Sequence, residues 1–139
     1  MPTQWARSSV RVSSAQHSAE ELSALLGRTP TGSFDRGTLM NPRNPRSARR
    51  AESLWLLRSD LAEDVPLEQH LEWAVGVVEA LRVPIASLPP GSADIFVGYE
   101  LIDRQGSLEL DHALLERLAV LPVDLIFDLY SLDSDEALA

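Results

Sequence analysis

Four segments of the chain have the pattern of β-strands. The first runs from Trp5 to Ser13, the second from Ser53 to Leu57, the third from Ala93 to Leu101 and the fourth from Val123 to Tyr130. The second is mostly apolar, whereas the other three alternate hydrophobic and polar residues, which places successive side chains on opposite faces of a sheet. The alternation predicts a sheet with one face packed by helices and the other facing solvent or a partner.

Three further segments repeat hydrophobic residues at helical spacing. In the first, Ser18 and Glu21 have the spacing of a capping box, and Gly27 supplies a left-handed C-terminal stop. The second and longest begins at Pro66, a residue that suits the first turn of a helix. Asp111 is positioned to cap the third. The sequence therefore predicts three helices. The first lies between the first strand and the long loop described next, and each of the other two lies between two strands.

Residues 28–51 follow neither period. This segment contains three prolines, two glycines and six arginines, and a loop of about 24 residues within a compact domain is usually functional or disordered. The arginines expected to be accessible here, either to an anionic ligand or to trypsin, are Arg43, Arg46, Arg49 and Arg50.

The elements occur in the order β-α-β-α-β-α-β, which predicts a single α+β domain over residues 1–139. We expect a four-stranded sheet with about three helices, mainly on one face, and an acidic tail at residues 131–139 that frays. Trp55, flanked by leucines, is expected to be a core aromatic. The periods predict that the rest of one core consists mostly of Val10, Val12, Leu22, Leu25, Leu26, Leu56, Leu71, Val75, Val78, Ile95, Val97, Leu115, Leu118, Leu125 and Phe127.

The charge of the chain is strongly acidic and unevenly distributed. Its 139 residues include twelve arginines and twenty-one acidic residues, for a net charge of −9. Residues 1–58 hold nine of the arginines and four acids, whereas residues 59–139 hold three arginines and seventeen acids. The two halves either neutralise each other within the fold or present a basic loop and an acidic face to partners. Free nucleic acid is not an expected partner, because a duplex binds a basic surface and the chain as a whole is acidic.

Charged residues also predict a pairing between the first and last strands. Arg7 and Arg11 have the same four-residue spacing as Asp124 and Asp128. If these strands are neighbours, opposite charges face each other across the ladder.

No catalytic, cofactor or metal site is expected from the sequence. The chain has no cysteine, its three histidines lie on separate elements, and no nucleophile elbow, P-loop or dinucleotide fingerprint occurs. The first twenty residues contain no apolar run that could form the core of a signal peptide, and no segment is apolar enough to span a membrane. We therefore expect a cytoplasmic protein without a membrane partner.

A series of short motifs runs along nearly the whole chain. The segments are Leu25–Gly27 with Thr29–Pro30, Arg36–Gly37, Trp55–Leu57 with Ser59, Leu67–Leu71, Leu114–Leu118 and Asp128–Tyr130. In this order they resemble the bacterial domain-of-unknown-function family 4279, which has a leucine-glycine-x-x-proline segment, a basic residue followed by glycine, a strand with tryptophan, and a terminal strand with aspartate-x-tyrosine. The resemblance implies a small bacterial α+β protein with no established catalytic residues.

The strongest functional indication is a set of side chains on the last predicted strand. Asp124, Ile126, Asp128 and Tyr130 fall on the face that alternation leaves uncovered, and apolar residues there are typical of a contact surface. The main hypothesis is a non-catalytic protein-binding module, of the kind found in immunity or accessory proteins. The alternatives are an enzyme or small-anion-binding domain that uses the arginine-rich loop, and a structural homodimer.

Overall fold

The computed structural model describes residues 5–102 and 107–132, and the tail from residue 133 and the turn predicted at residues 103–106 lie outside them. The described residues form five strands and four helices, so the predicted α+β class is confirmed with one additional strand and one additional helix. The elements in chain order are β1 Ala6–Ser14, α1 Ala19–Leu26, β2 Gly32–Phe34, β3 Ser53–Arg58, α2 Leu67–Ala80, α3 Arg82–Ala86, β4 Ala93–Ile102, α4 His112–Ala119 and β5 Asp124–Leu132.

The strands form a single sheet in the order β2-β3-β1-β4-β5. All neighbours are antiparallel except β4 and β5, which are parallel and connected through α4. A parallel pair needs a crossover of this kind, because a tight turn reverses the direction of the chain. As a result, β1 is the central strand and β5 is at one edge.

This strand order shows that the predicted pairing between the first and last strands is wrong. β4 lies between β1 and β5, so Arg7 and Arg11 do not face Asp124 and Asp128. Arg11 forms an ion pair with Asp94 on β4 instead. The charge spacing could not reveal this, because two strands of the same chain can carry matching charges without being neighbours.

Local signals explain where the helices begin and end. The Ser18 hydroxyl accepts a hydrogen bond from the Glu21 N–H at 3.1 Å, and the Glu21 carboxylate accepts one from the Ser18 N–H at 3.2 Å. The Ser18 N–H and the neighbouring His17 lower the pKa of Glu21. Gly27 ends α1 with a φ of 65°, a left-handed conformation that glycine adopts without strain. Asp111 caps α4 by accepting a hydrogen bond from Leu114 at 2.8 Å.

The four helices pack on one face of the sheet, where their apolar side chains form one core with those of the strands. Trp55 is fully buried as predicted, and its indole N–H donates to the Arg28 carbonyl at 3.2 Å. The predicted core residues that are buried are Val10, Val12, Leu22, Leu26, Leu71, Val75, Val78, Ile95 and Val97. Leu118, Leu125 and Phe127 are half-buried and pack against this core. The assignment of Leu56 to the core is wrong: Leu56 is half-buried on the opposite face of the sheet, because the alternation of β3 turns Trp55 inward and Leu56 outward.

Two predicted core residues are on the surface. Leu25 is 39% exposed and Leu115 is 46% exposed. Each lies in a helix of eight residues that contacts the core through a narrow stripe. In α4 the buried position of that stripe is Leu114, one residue before Leu115. A short run of leucines does not show which of them faces inward, and the tertiary contacts decide it.

A cluster of ion pairs between side chains joins α4 to α2. The Arg117 guanidinium contacts both Glu72 and Glu79, with 2.6 Å between its Nη2 and the Glu79 Oε1. The hydrogen bond from Arg117 lowers the pKa of Glu79, and the two carboxylates raise the pKa of Arg117. These contacts favour the docking of α4 beside the longest helix.

The segment predicted as a long loop contains regular structure. β2 pairs with β3, and residues 37–40 then run antiparallel to residues 48–50. Hydrogen bonds of 2.8 Å join the Gly37 N–H to the Arg50 carbonyl and the Arg50 N–H to the Thr38 carbonyl. The paired stretches are only a few residues long, which is too short for a period of two to be evident in the sequence.

Candidate binding site on the open face of the sheet

The face of the sheet opposite the helices, called the open face below, carries both charged and aromatic side chains. The burial of the strands alternates, and the cross-strand register places the outward residues of neighbouring strands side by side. The open face comprises Phe34 on β2, Leu54, Leu56 and Arg58 on β3, Arg7, Ser9, Arg11 and Ser13 on β1, Asp94, Phe96, Gly98 and Glu100 on β4, and Asp124, Ile126, Asp128 and Tyr130 on β5.

A groove of about 590 Å³ runs across the open face. Its central residue is Ser9, which lies opposite Arg58 of β3 on one side and opposite Phe96 of β4 on the other. Ligand-binding pockets commonly have volumes of roughly 300–1,000 Å³. The groove is therefore large enough for a small organic molecule or for several side chains of a partner.

Three arginines line this groove, and two of them have acidic partners. The Arg7 Nη2 is 2.5 Å from the Glu63 Oε1, and the Arg7 guanidinium is 5.2 Å from the centre of the Trp5 ring. Arg11 makes a two-pronged contact with Asp94 at 2.7 and 2.9 Å and stacks over Phe96 at 4.2 Å. These contacts hold both guanidinium groups along the groove.

The third arginine, Arg58, lies at the end of β3 with its side chain exposed. Within the described parts of the chain, no hydrogen bond or ion pair is found for its guanidinium. Ser9, which faces it, is 8% exposed, and its hydroxyl likewise has no hydrogen-bond partner among the described residues. The centre of the groove thus combines an uncompensated cation with an unused hydroxyl donor.

An aromatic pair lies at one end of the groove. The rings of Trp5 and Tyr130 are 5.4 Å apart, and the Trp5 indole N–H donates to the Glu100 carboxylate. A Cβ atom at Gly98 would lie 3.2 Å from the Trp5 ring, so the absence of a side chain there allows the indole to lie against the sheet. The Tyr130 hydroxyl donates to Asp128 at 2.5 Å, which raises the pKa of Tyr130.

His70 also lines the groove, although it is 1% exposed. Its Nε2 is 3.1 Å from the Ala62 carbonyl, which can only accept a hydrogen bond, so Nε2 is the donor of this contact. The Nδ1 atom is buried without a hydrogen-bond partner in the described structure.

The structure separates the two groups of residues that the sequence singled out. Asp124, Ile126, Asp128 and Tyr130 share the open face of β5, as the alternation predicts, at one edge of the sheet. The loop arginines belong to the opposite edge, because Arg50 stacks on Phe34 of β2 at 3.9 Å. The two groups therefore do not form one site.

The loop arginines themselves differ in their contacts. Arg43 and Arg46 are exposed at the turns of the loop. Arg49 donates to the Gly37 carbonyl at 2.7 Å, and the Arg50 Nε is buried without a hydrogen-bond partner in the described ranges. The first two are therefore the most accessible of the four.

The sequence did not identify the groove. The available signal was the alternation in β1, which places Arg7, Ser9 and Arg11 on one side of the strand. Arg58 and Phe96 are distant in the chain and join these residues only through the strand order. A cluster of this kind cannot be found until the neighbours of β1 are known.

The described residues contain no group of three or more acidic or histidine side chains arranged to hold a metal ion. In the same residues, no helix combines the length and the apolar character needed to cross a membrane.

Comparison with protein families matches residues 3–132 to a family described as "Domain of unknown function (DUF4279)". Neither the curated proteins nor the solved structures contain a match to the chain.

Proposed function

The chain belongs to the DUF4279 family, and we propose that this member is a non-catalytic module that binds another protein through β5. The observation that carries the proposal is the position of β5 at the edge of the sheet. We use the term β5 edge for the side of β5 that faces away from β4, together with Asp124, Ile126, Asp128 and Tyr130. The occupant we propose is an extended strand of a partner protein with basic residues at alternate positions.

The backbone of the β5 edge is suited to strand addition. β5 has nine residues and pairs with β4 over its whole length, whereas no strand pairs with its other side within residues 5–102 and 107–132. A long edge strand presents N–H and C=O groups that can pair with another chain. Ile126, Leu129 and Tyr130 are 38%, 51% and 47% exposed, so a partner would also cover apolar surface.

Charge favours a basic strand as the occupant. Asp124 and Asp128 alternate with Ile126 and Tyr130 on the open face. Arginine or lysine at alternate positions of an added strand would lie opposite these carboxylates, and each such pair contributes roughly 0.2–1 kcal/mol. The net charge of −9 would also attract a basic partner over a longer range.

The same charges disfavour a second copy of the chain as the occupant. An antiparallel pairing of two β5 strands centred on Ile126 would place Asp124 of each chain opposite Asp128 of the other. Centring on Asp128 would bring two copies of that residue together. Like charges directly opposite each other destabilise a strand pair, so the homodimer is the weaker alternative.

The test uses a fluorescent nine-residue peptide in which arginine and valine alternate, matched in length to β5. Binding is followed by fluorescence anisotropy for the native chain and for the Asp124→Arg/Asp128→Arg variant. Reversing both charges turns two attractive pairs into repulsive ones, so we expect a loss of roughly 1–3 kcal/mol, or about 5- to 150-fold in affinity. Higher salt should weaken native binding, because exposed charges are screened.

The matched control is Glu52→Arg/Glu109→Arg, which changes the net charge equally at two exposed positions outside β5. This control should retain most of the native affinity for the peptide.

Hydrogen exchange distinguishes strand addition from charge attraction alone. An added strand should slow the exchange of the β5 amides that face away from β4, whereas charge attraction without strand pairing should not. Equal peptide affinity in the two double variants, or unchanged exchange of the β5 amides, would refute the proposal. A dimer in sedimentation experiments that the arginine-valine peptide cannot dissociate would refute it as well.

A further inference from the structure

We infer that the groove on the open face is a binding site for a small organic carboxylate, held by Arg58 and Ser9 beside an apolar surface. Of the side chains that define the β5 edge, this site includes Tyr130 alone, and it does not depend on the proposed function. It also differs from the anion site expected at the arginine-rich loop, since it uses arginines of the sheet itself.

The strand register brings the polar groups of the site together. Ser9 and Arg58 are direct cross-strand neighbours. Arg7 and Arg11 are two positions to either side of Ser9, so they are diagonal neighbours of Arg58 at a separation of about 7–8 Å between backbones. Three arginines that line the groove are therefore cross-strand or same-face neighbours of one buried serine, on a chain whose overall charge is strongly negative.

The charges of the site leave room for one anionic group. Glu63 accompanies Arg7 and Asp94 accompanies Arg11, whereas the Arg58 guanidinium has no carboxylate in the described structure. Around Arg58 the surplus of one positive charge fits a singly charged carboxylate better than a phosphate dianion. The carboxylates of Glu100 and Asp128 lie at the aromatic end of the groove, where they accept hydrogen bonds from Trp5 and Tyr130. The planar guanidinium can donate two parallel hydrogen bonds to a carboxylate, and the Ser9 hydroxyl can donate a third.

The surroundings of these donors indicate that the ligand has an apolar body. Phe96 lies across β1 from Arg58, and Leu54 and Leu56 extend the groove along β3. Trp5 and Tyr130 form its aromatic end. A flat hydrocarbon body attached to the carboxylate would cover these side chains, and aromatic rings next to arginines favour such stacking.

The experiment measures the binding of 2-naphthoate by isothermal titration calorimetry. Arg58→Gln removes the free cation from an exposed position and should weaken binding about tenfold or more, because a charge-assisted bidentate contact is lost. Ser9→Ala removes one hydroxyl and should weaken binding about threefold. The control is Arg82→Gln, which changes the charge equally at an exposed position on α3 and should leave the affinity unchanged.

Two further ligands test separately the contributions of the negative charge and of the aromatic rings of 2-naphthoate. 2-Naphthamide has the same rings without the charge, and inorganic phosphate has charge without the rings, so each should bind about tenfold or more weakly than 2-naphthoate. In NMR spectra, 2-naphthoate should shift the indole N–H signal of Trp5, which lines the groove, more than that of the buried Trp55.

The inference is overturned if 2-naphthoate does not bind, or if Arg58→Gln binds it as tightly as Arg82→Gln does. It is overturned equally if 2-naphthamide or phosphate matches the affinity of 2-naphthoate, or if the Trp5 signal is unaffected at saturation. Because the Arg58 side chain is exposed, its loss should leave the fold intact, which the NMR spectrum of the free variant verifies.

Discussion

Replacing Leu71 by alanine should destabilise the protein far more than the same replacement at Leu115, although both leucines are expected in the core from the sequence. Leu71 is fully buried on α2, whereas Leu115 on α4 is 46% exposed. Truncation of a buried leucine removes hydrophobic contacts and leaves a cavity, at a cost of 2–5 kcal/mol in general. α2 packs directly on the central strand β1, so the backbone around Leu71 has little freedom to close the cavity. We therefore expect roughly 3–5 kcal/mol for Leu71→Ala.

For Leu115→Ala we expect a loss below about 1 kcal/mol, because little apolar area is uncovered and alanine is a good helix former. The free energy of unfolding is measured in urea and followed by tryptophan fluorescence, to which the buried Trp55 contributes. The dependence on urea should keep the same slope in both variants, since the folded and unfolded states expose similar areas. If Leu115→Ala proves as costly as Leu71→Ala, the assignment of the inward face of α4 is wrong.

Two other properties can be predicted from the loop and from β5. Limited trypsin digestion should cut first after Arg43 or Arg46, whose side chains are exposed at the turns of the loop, and initial cleavage after Arg82 would contradict this. The Tyr130 phenol should titrate above its ordinary pKa, because its hydroxyl donates to Asp128, and Asp128→Asn should lower that pKa in an NMR titration. Any stabilisation linked to the raised Tyr130 pKa is fully present at pH values below the pKa of Tyr130 in the unfolded chain. It is lost as the pH rises through the pKa of Tyr130 in the folded protein. An unchanged Tyr130 pKa in Asp128→Asn would show that the hydrogen bond to Asp128 is not responsible for the shift.

The two proposed surfaces use the same sheet in different ways. At the β5 edge, affinity would come from backbone hydrogen bonds and from Asp124 and Asp128. In the groove it would come from Arg58 and from the aromatic side chains of Phe96, Trp5 and Tyr130. The signs of charge are opposite, so a ligand that suits one surface is repelled by the other. Because the two surfaces share only Tyr130 and use opposite charges, the peptide and naphthoate experiments can succeed or fail independently.

Local interactions were sufficient to predict α1, α2 and α4 and most of the strands, whereas the short α3 was not predicted. Ser18, Glu21 and Gly27 define the ends of α1 through hydrogen bonds and backbone conformation within a few residues. The spacing of apolar residues in α2 likewise identifies its buried side before any partner is known. The same reasoning placed Ile126 and Tyr130 together on one face of β5, since alternation is a property of the strand itself.

Contacts between distant parts of the chain decided the rest. The position of β4 between β1 and β5 gives Arg11 an aspartate from β4 as its partner and leaves Asp124 at an edge. The short β2 forms only because β3 offers it a partner, and the groove exists because Arg58 and Phe96 meet on either side of Ser9. Strand order and register depend on packing that is summed over the whole core, so no short window of sequence contains them.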